Sequence, residues 1–218
     1  QLLKLGLPSS LQMFFEVSFF TFAIWVCGFL SKDAQAANQI ALNLSSMTFM
    51  VAMGLSVAAT IRVGNQKGFK AFGELKRIAL SVFLLTLLLD VVFAGVFVAC
   101  NEWLPWLYLD SATGLDTFAV AELAGSLLFI AAFFQIFDGA QVVALGSLRG
   151  LQDVRIPTWI TFLAYVLIGV PVMLYLSVEA AMGARGVWIG LCLGLVVSSL
   201  LLYLRFRYLS NKLIRTNG

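Results

Sequence analysis

Two carboxylates stand where carboxylates are costly. Glu16 interrupts Leu11–Ile24, an otherwise mainly apolar run, and Asp138 interrupts a second such run far along the chain. An acid at the centre of a membrane helix costs about 3 kcal/mol on insertion scales. Such a group normally faces a protein interior and acts there. Each acid has amide company one turn away. Gln12 lies at i−4 from Glu16, and Gln135 and Gln141 flank Asp138 at i−3 and i+3. On another segment Gln39, Asn43 and Ser46 share a helical face. Carboxylates, amides and hydroxyls together are what a hard cation such as sodium requires. A carboxyl among apolar neighbours can instead carry a proton. The residue types leave both ions open, with Na+ at Glu16 and Asp138 as one reading. Gln12, Gln39, Asn43, Gln135 and Gln141 are accordingly expected to line a cavity, although these amides also fit a plainer role, hydrogen-bonding helices together.

A third acid, Asp90, sits in Leu87–Phe93 with Thr86 as its only polar neighbour one turn away. Its position suits a functional acid, a solvated cavity, an interface with further chain, or a side chain snorkelling outward.

The elements that must position these groups are membrane spans. The sequence is 61% hydrophobic and 11% charged, with a mean hydropathy of +0.97. A soluble domain carries about 25% charged residues. The 218 residues accommodate about six spans with short loops. Apolar runs of this length exclude the alternating short segments of a barrel. The predicted fold is an all-α membrane protein of six transmembrane helices, over residues 7–30, 36–63, 71–99, 118–148, 154–177 and 183–208. Pro8 is expected in the first turn of helix one, Gly64 at the end of helix two, Asp153 as N-cap of helix five and Pro171 as its kink. Glu16 lies nine residues past residue 7 and Asp138 ten before residue 148. At 1.5 Å per residue both acids fall about 14–15 Å below the same membrane face, near the middle of a core about 30 Å thick.

Charge orients the bundle. With both ends cytoplasmic, 12 of the 14 basic residues fall inside, and only Lys32 and Arg185 fall outside. The outer segments carry the acids Asp33, Glu102, Asp110, Asp116 and Glu179, and Trp103, Trp106 and Tyr108 suit an outer aromatic belt. The charge thus serves topology, and no nucleic-acid partner is expected. On helix six Gly186, Gly190, Gly194 and Ser198 form a strip that admits another helix closely.

Other chemistries lack their residues. The sequence has no His, no CxxC among Cys27, Cys100 and Cys192, and no P-loop, GxSxG or HExxH. An enzyme is not expected, nor a cofactor, and any pumping must draw on an ion gradient. No signal peptide is visible before Leu2-Leu3-Lys4, so the chain is expected to begin within a longer protein.

Several short patterns taken in order resemble one family. They are Gly6-Leu7-Pro8 with Phe15-Glu16-Val17, Gln39-Ile40-Ala41-Leu42-Asn43 with Ser46, and Ile61-Arg62-Val63-Gly64. They continue with Gln135-Ile136 and Asp138, Leu148-Arg149-Gly150 with Asp153, Ala164-Tyr165 with Gly169 and Pro171, and Gly186 with Trp188 and Gly190. Together they resemble the C-terminal six-helix lobe of multidrug and toxic compound extrusion (MATE) transporters, in the NorM-like branch. The resemblance implies half of a twelve-helix antiporter of the bacterial inner membrane. Such a protein exports organic cations and drugs in exchange for sodium or protons, and its missing N-terminal lobe supplies half the cavity. It implies that Glu16 and Asp138 carry the coupling ion. It also exposes departures. Many NorM-like members have Tyr where Phe134 stands, His where Asn38 stands and Pro where Ala52 stands, and Asp90 has no counterpart. The alternative reading is a lipid-linked oligosaccharide flippase of related architecture, which calls for mid-membrane Lys or Arg, and the sequence places none there. A non-transporting scaffold or channel subunit is the third.

Overall fold

A computed structural model describes residues 2–109 and 116–217, and Asp110 of the outer acidic set lies outside them. The described chain is helical throughout, with no strand. Six helices are long and apolar enough to cross a membrane. They are α1 (Leu2–Leu30), α2 (Lys32–Gly68), α3 (Phe72–Ala99), α4 (Thr117–Gly150), α5 (Arg155–Glu179) and α6 (Ala184–Asn217). A short 3-10 turn, Leu104–Leu107, lies between α3 and α4. Trp103, just before it, is 79% exposed, and Trp106 on it packs edge-on against Phe118.

The helices outrun their apolar stretches. Hydropathy marks where a span leaves oil, whereas the hydrogen-bond ladder continues until a cap stops it. Pro8 therefore sits inside α1, whose first residue is Leu2. The Pro8 carbonyl accepts from the Thr158 hydroxyl at 2.9 Å, which ties α1 to α5. Gly64 does not end α2, since one helical glycine costs only about 1 kcal/mol. The stop comes at Lys70, whose left-handed φ of 57° turns the chain. Asp153 does not cap α5: Val154 holds that position with no side-chain bond, and Asp153 instead pairs with Arg205 of α6 at 2.8 Å.

α4 is the central post, packed by α2, α3 and α6. Its crossing with α2 is close because Gly146 and Gly150 face the α2 backbone. A Cβ on Gly150 would stand 2.7 Å from the Thr60 carbonyl. Two hydroxyls stitch the crossing: Ser56 donates to the Val142 carbonyl at 2.6 Å and Thr60 to that of Gly146 at 2.9 Å. Interhelical bonds in membranes average about 0.6 kcal/mol and reach about 1.7. Ser56→Ala is therefore expected to lower unfolding free energy by about 1 kcal/mol, measured by denaturant titration in micelles.

α5 is irregular. Pro171 has no N–H to give to the fourth preceding residue, and the turn just before it, Ala164–Gly169, widens to π-helical geometry. A second π turn covers Tyr175–Glu179. The small strip of α6 receives this widened helix: a Cβ on Gly186 or Gly190 would strike the backbone of Leu176 or Met173 at 2.5 Å.

Candidate functional site

The facing sides of α1, α2 and α4 border an open cavity of about 400 Å3. Glu16 enters it from α1, Gln39, Asn43, Ser45 and Ser46 from α2, and Phe134, Asp138 and Arg149 from α4. Met13 and Val17, each more than half exposed, form a rim with the cavity behind them. The two acids met first in the sequence thus border one space, from helices that run in opposite directions. Asp138 is 6% exposed, and the charges of Glu16 and Asp90 are both near enough to act on it.

Glu16 is held from behind. Gln12, one turn earlier and 2% exposed, donates its Nε2 to Glu16 Oε2 at 2.9 Å. Its Oε1 accepts from the guanidinium of Arg149, so a relay of hydrogen bonds runs from Arg149 through Gln12 to Glu16. Gln12 therefore stands behind the wall and orients the acid rather than lining the cavity.

The amides beside Asp138 serve other interfaces. On a helix of 3.6 residues per turn, positions three away stand about 60° to either side. Gln135 points to α3, where its Nε2 donates to the Asp90 carbonyl at 3.4 Å. Gln141 points to α5 and donates to the Tyr165 hydroxyl. Neither lines the cavity, contrary to the sequence expectation; Phe134 and Val142, four residues away, do. Phe134 is 1% exposed, edge-on to Phe20 and Trp188. Asn38 accepts from the Trp188 indole at 2.9 Å.

Three residues take places that the sequence did not disclose. Asp90 is neither snorkelling nor solvated: at 3% exposure it packs its carboxylate against Gly139, the residue after Asp138. Any Cβ on Gly139 would collide with that carboxylate. Arg149 counts as a loop cation in the sequence, yet its guanidinium reaches the cavity wall. That weakens one ground for setting the flippase aside, the absence of deep basic residues. Tyr165 is 1% exposed, stacks on Phe19 at 4.5 Å, and holds its hydroxyl within electrostatic reach of Glu16 and Asp138. Its signal was the Ala164-Tyr165 pattern, read only as a family mark. Asp90 Oδ2, Gln135 Oε1, Asp138 Oδ1 and Gln141 Oε1 are buried acceptors with no donor among the described residues. No three His, Cys, Asp or Glu side chains gather closely enough among them to hold a metal ion. A cation at Glu16 and Asp138 would need amide and hydroxyl oxygens to complete its shell.

The chain is similar to known proteins. A family profile described as MatE matches residues 8–174. The chain is 39% identical to the probable multidrug resistance protein NorM of Acinetobacter baylyi, over 98% of this chain and 46% of that protein. It is 39% identical to the multidrug resistance protein MdtK of Yersinia pestis, over 95% of this chain and 45% of that one. The chain thus spans about half the length of the curated relatives it matches, in their C-terminal part. Among solved structures, the eukaryotic MATE transporter AtDTX14 superposes with a TM-score of 0.85 at 22% identity, over 99% of this chain and 48% of that one. An outward-facing multidrug resistance MATE family transporter of the MOP superfamily also gives 0.85, at 19% identity, over 98% and 47%. These likenesses do not support the flippase reading, and with the profile match over most of its length the chain belongs to the MatE family.

Proposed function

We propose that this chain is one six-helix lobe of a cation-coupled antiporter that exports organic cations and drugs, with Glu16 and Asp138 carrying the coupling ion. The observation that supports it most is that both carboxylates border one cavity of about 400 Å3, lined otherwise by Arg149, amides, hydroxyls, aromatic rings and aliphatic side chains. Ionised, the pair attracts an organic cation, and Phe20, Phe49 and Phe134 give its apolar body a wall. Occupied by sodium or by a proton, the pair loses that attraction. Drug and ion then compete for one set of charges, and exchange follows if each favours a different state of the transporter. Gln12 and Arg149 orient Glu16. Asp90 modulates Asp138 from behind, because its charge acts on that acid without facing the cavity. A second lobe, supplied by the rest of a full-length protein, closes the cavity. The 12-to-2 distribution of basic residues supports an inner-membrane protein with both ends of this lobe cytoplasmic.

The deciding measurement is drug efflux from vesicles carrying the full protein, under separately imposed sodium and proton gradients. Efflux should follow at least one gradient, and Asp138→Asn should remove the dependence at unchanged protein level. Efflux indifferent to both gradients would overturn the reading.

A further inference from the structure

We propose that the end of the lobe where α4 terminates carries a second ligand site, which holds the phosphate of an anionic membrane phospholipid between α3, α4 and α6. A cavity of about 260 Å3 lies there and shares no lining residue with the larger one. Lys76 of α3 and Arg207 of α6 supply two positive charges, and no carboxylate lines it. Ser147 of α4 adds a hydroxyl on a side chain only 2% exposed, whereas the Ser210 hydroxyl, also in the lining, donates to the Arg207 carbonyl at 3.1 Å. The Lys76 ammonium donates one hydrogen bond, to Asn211 Oδ1 at 2.9 Å, and an ammonium has three to give. The Arg207 guanidinium makes no ion pair or hydrogen bond among the described residues. Two cations with spare donors and no counter-charge are a receptor for a phosphate.

The rest of the cavity favours a lipid over a soluble anion. Its inner wall is apolar, built from Leu80 and the rings of Phe83 and Tyr203, whose centroids are 5.3 Å apart. A free phosphate has no use for such a wall, whereas an acyl chain does. From Leu80, 46% exposed, the outer face of α3 continues through Leu84 and Leu87 toward mid-membrane. Lys76 is four residues from the start of α3, about 6 Å at 1.5 Å per residue, which is headgroup depth. Basic pockets between spanning helices at a membrane face are where anionic headgroups bind.

The test is native mass spectrometry of the full protein in mild detergent, titrated with phosphatidylglycerol or phosphatidylcholine. Wild type should retain phosphatidylglycerol and not phosphatidylcholine. At about fivefold per charge, Lys76→Ala with Arg207→Ala should weaken retention about thirtyfold. Arg77→Ala, adjacent but outside the cavity lining, should leave it unchanged. Should the double variant fail to purify, Arg207→Gln at the exposed mouth should still cost about fivefold. Unchanged retention in the double variant or in Arg207→Gln, or no preference between the two lipids, would overturn the proposal. Displacement of the lipid by millimolar inorganic phosphate would also overturn it, because the ligand would then be the soluble anion.

Discussion

Glu16→Gln is expected to reduce drug resistance conferred by the full protein to that of cells lacking it, with the amount of protein in the membrane unchanged. The substitution keeps size and shape and removes only the charge. Gln12 loses a carboxylate acceptor but keeps an amide partner, since its side chain and the new one can still exchange a hydrogen bond. Burying an amide in place of an acid lowers the cost of insertion by part of the roughly 3 kcal/mol assigned to a central charge, so folding is not threatened. Coupling is. With one of its two cavity acids neutral, the site keeps one negative charge for a cationic drug or sodium, set against the positive charge of Arg149, and has one fewer carboxyl to take up a proton. The Arg149 guanidinium, now without Glu16 to oppose it, adds repulsion at the same wall. The check is a drug-susceptibility assay alongside immunodetection of the membrane-inserted protein. Wild-type resistance at equal protein level would remove Glu16 from the mechanism.

The sequence and the structure part company along a physical line. Whatever depended on neighbours along one helix was legible. Gln12 and Glu16 are one turn apart, and their hydrogen bond follows from that spacing. The six spans follow from hydropathy. Whatever depended on neighbours from another helix was not legible. Asp90 looked isolated because its own helix offers only Thr86, whereas the partner that matters, Gly139, is 49 residues further along the chain. Arg149 looked like a loop residue because its Cα is at a helix end; its long side chain spans back into the lobe. Gln135 and Gln141 share a helix with Asp138, so they were grouped with it, although 60° of rotation sends each to a different neighbour. Phe134 lacks the hydroxyl that the family resemblance leads one to expect there, and Tyr165 brings a hydroxyl to the same region from α5, which no spacing on α4 foretells.

Gly190→Ala is expected to be strongly destabilising, although it adds a single methyl group to a helix. In an exposed helix that exchange is favourable by about 1 kcal/mol. Here the new Cβ would stand 2.5 Å from Met173 Cα and 2.6 Å from its backbone nitrogen. Backbone atoms cannot swing aside, so α5 as a whole must retreat from α6. Overpacking of this kind costs about 1–3 kcal/mol, and two features push the expected cost to the upper end. Gly186 makes the same sort of approach one turn away, against Leu176 and Ser177, so α5 cannot pivot about that point to relieve the clash. Gly194, one turn the other way, lies against the Phe19 ring and Gly169, and Phe19 in turn stacks on Tyr165. Retreat of α5 would therefore draw the Tyr165 hydroxyl away from Gln141 and loosen the packing behind α1. The matched control is Gly95→Ala on α3, where a Cβ meets nothing within 4 Å. That change should leave the melting temperature equal or raise it slightly. Melting of the purified full protein, followed by size-exclusion chromatography after heating, separates the two cases. If Gly190→Ala melts with wild type, α5 does not press its backbone onto the α6 strip, and the path that holds Tyr165 near the two acids is not set by these glycines.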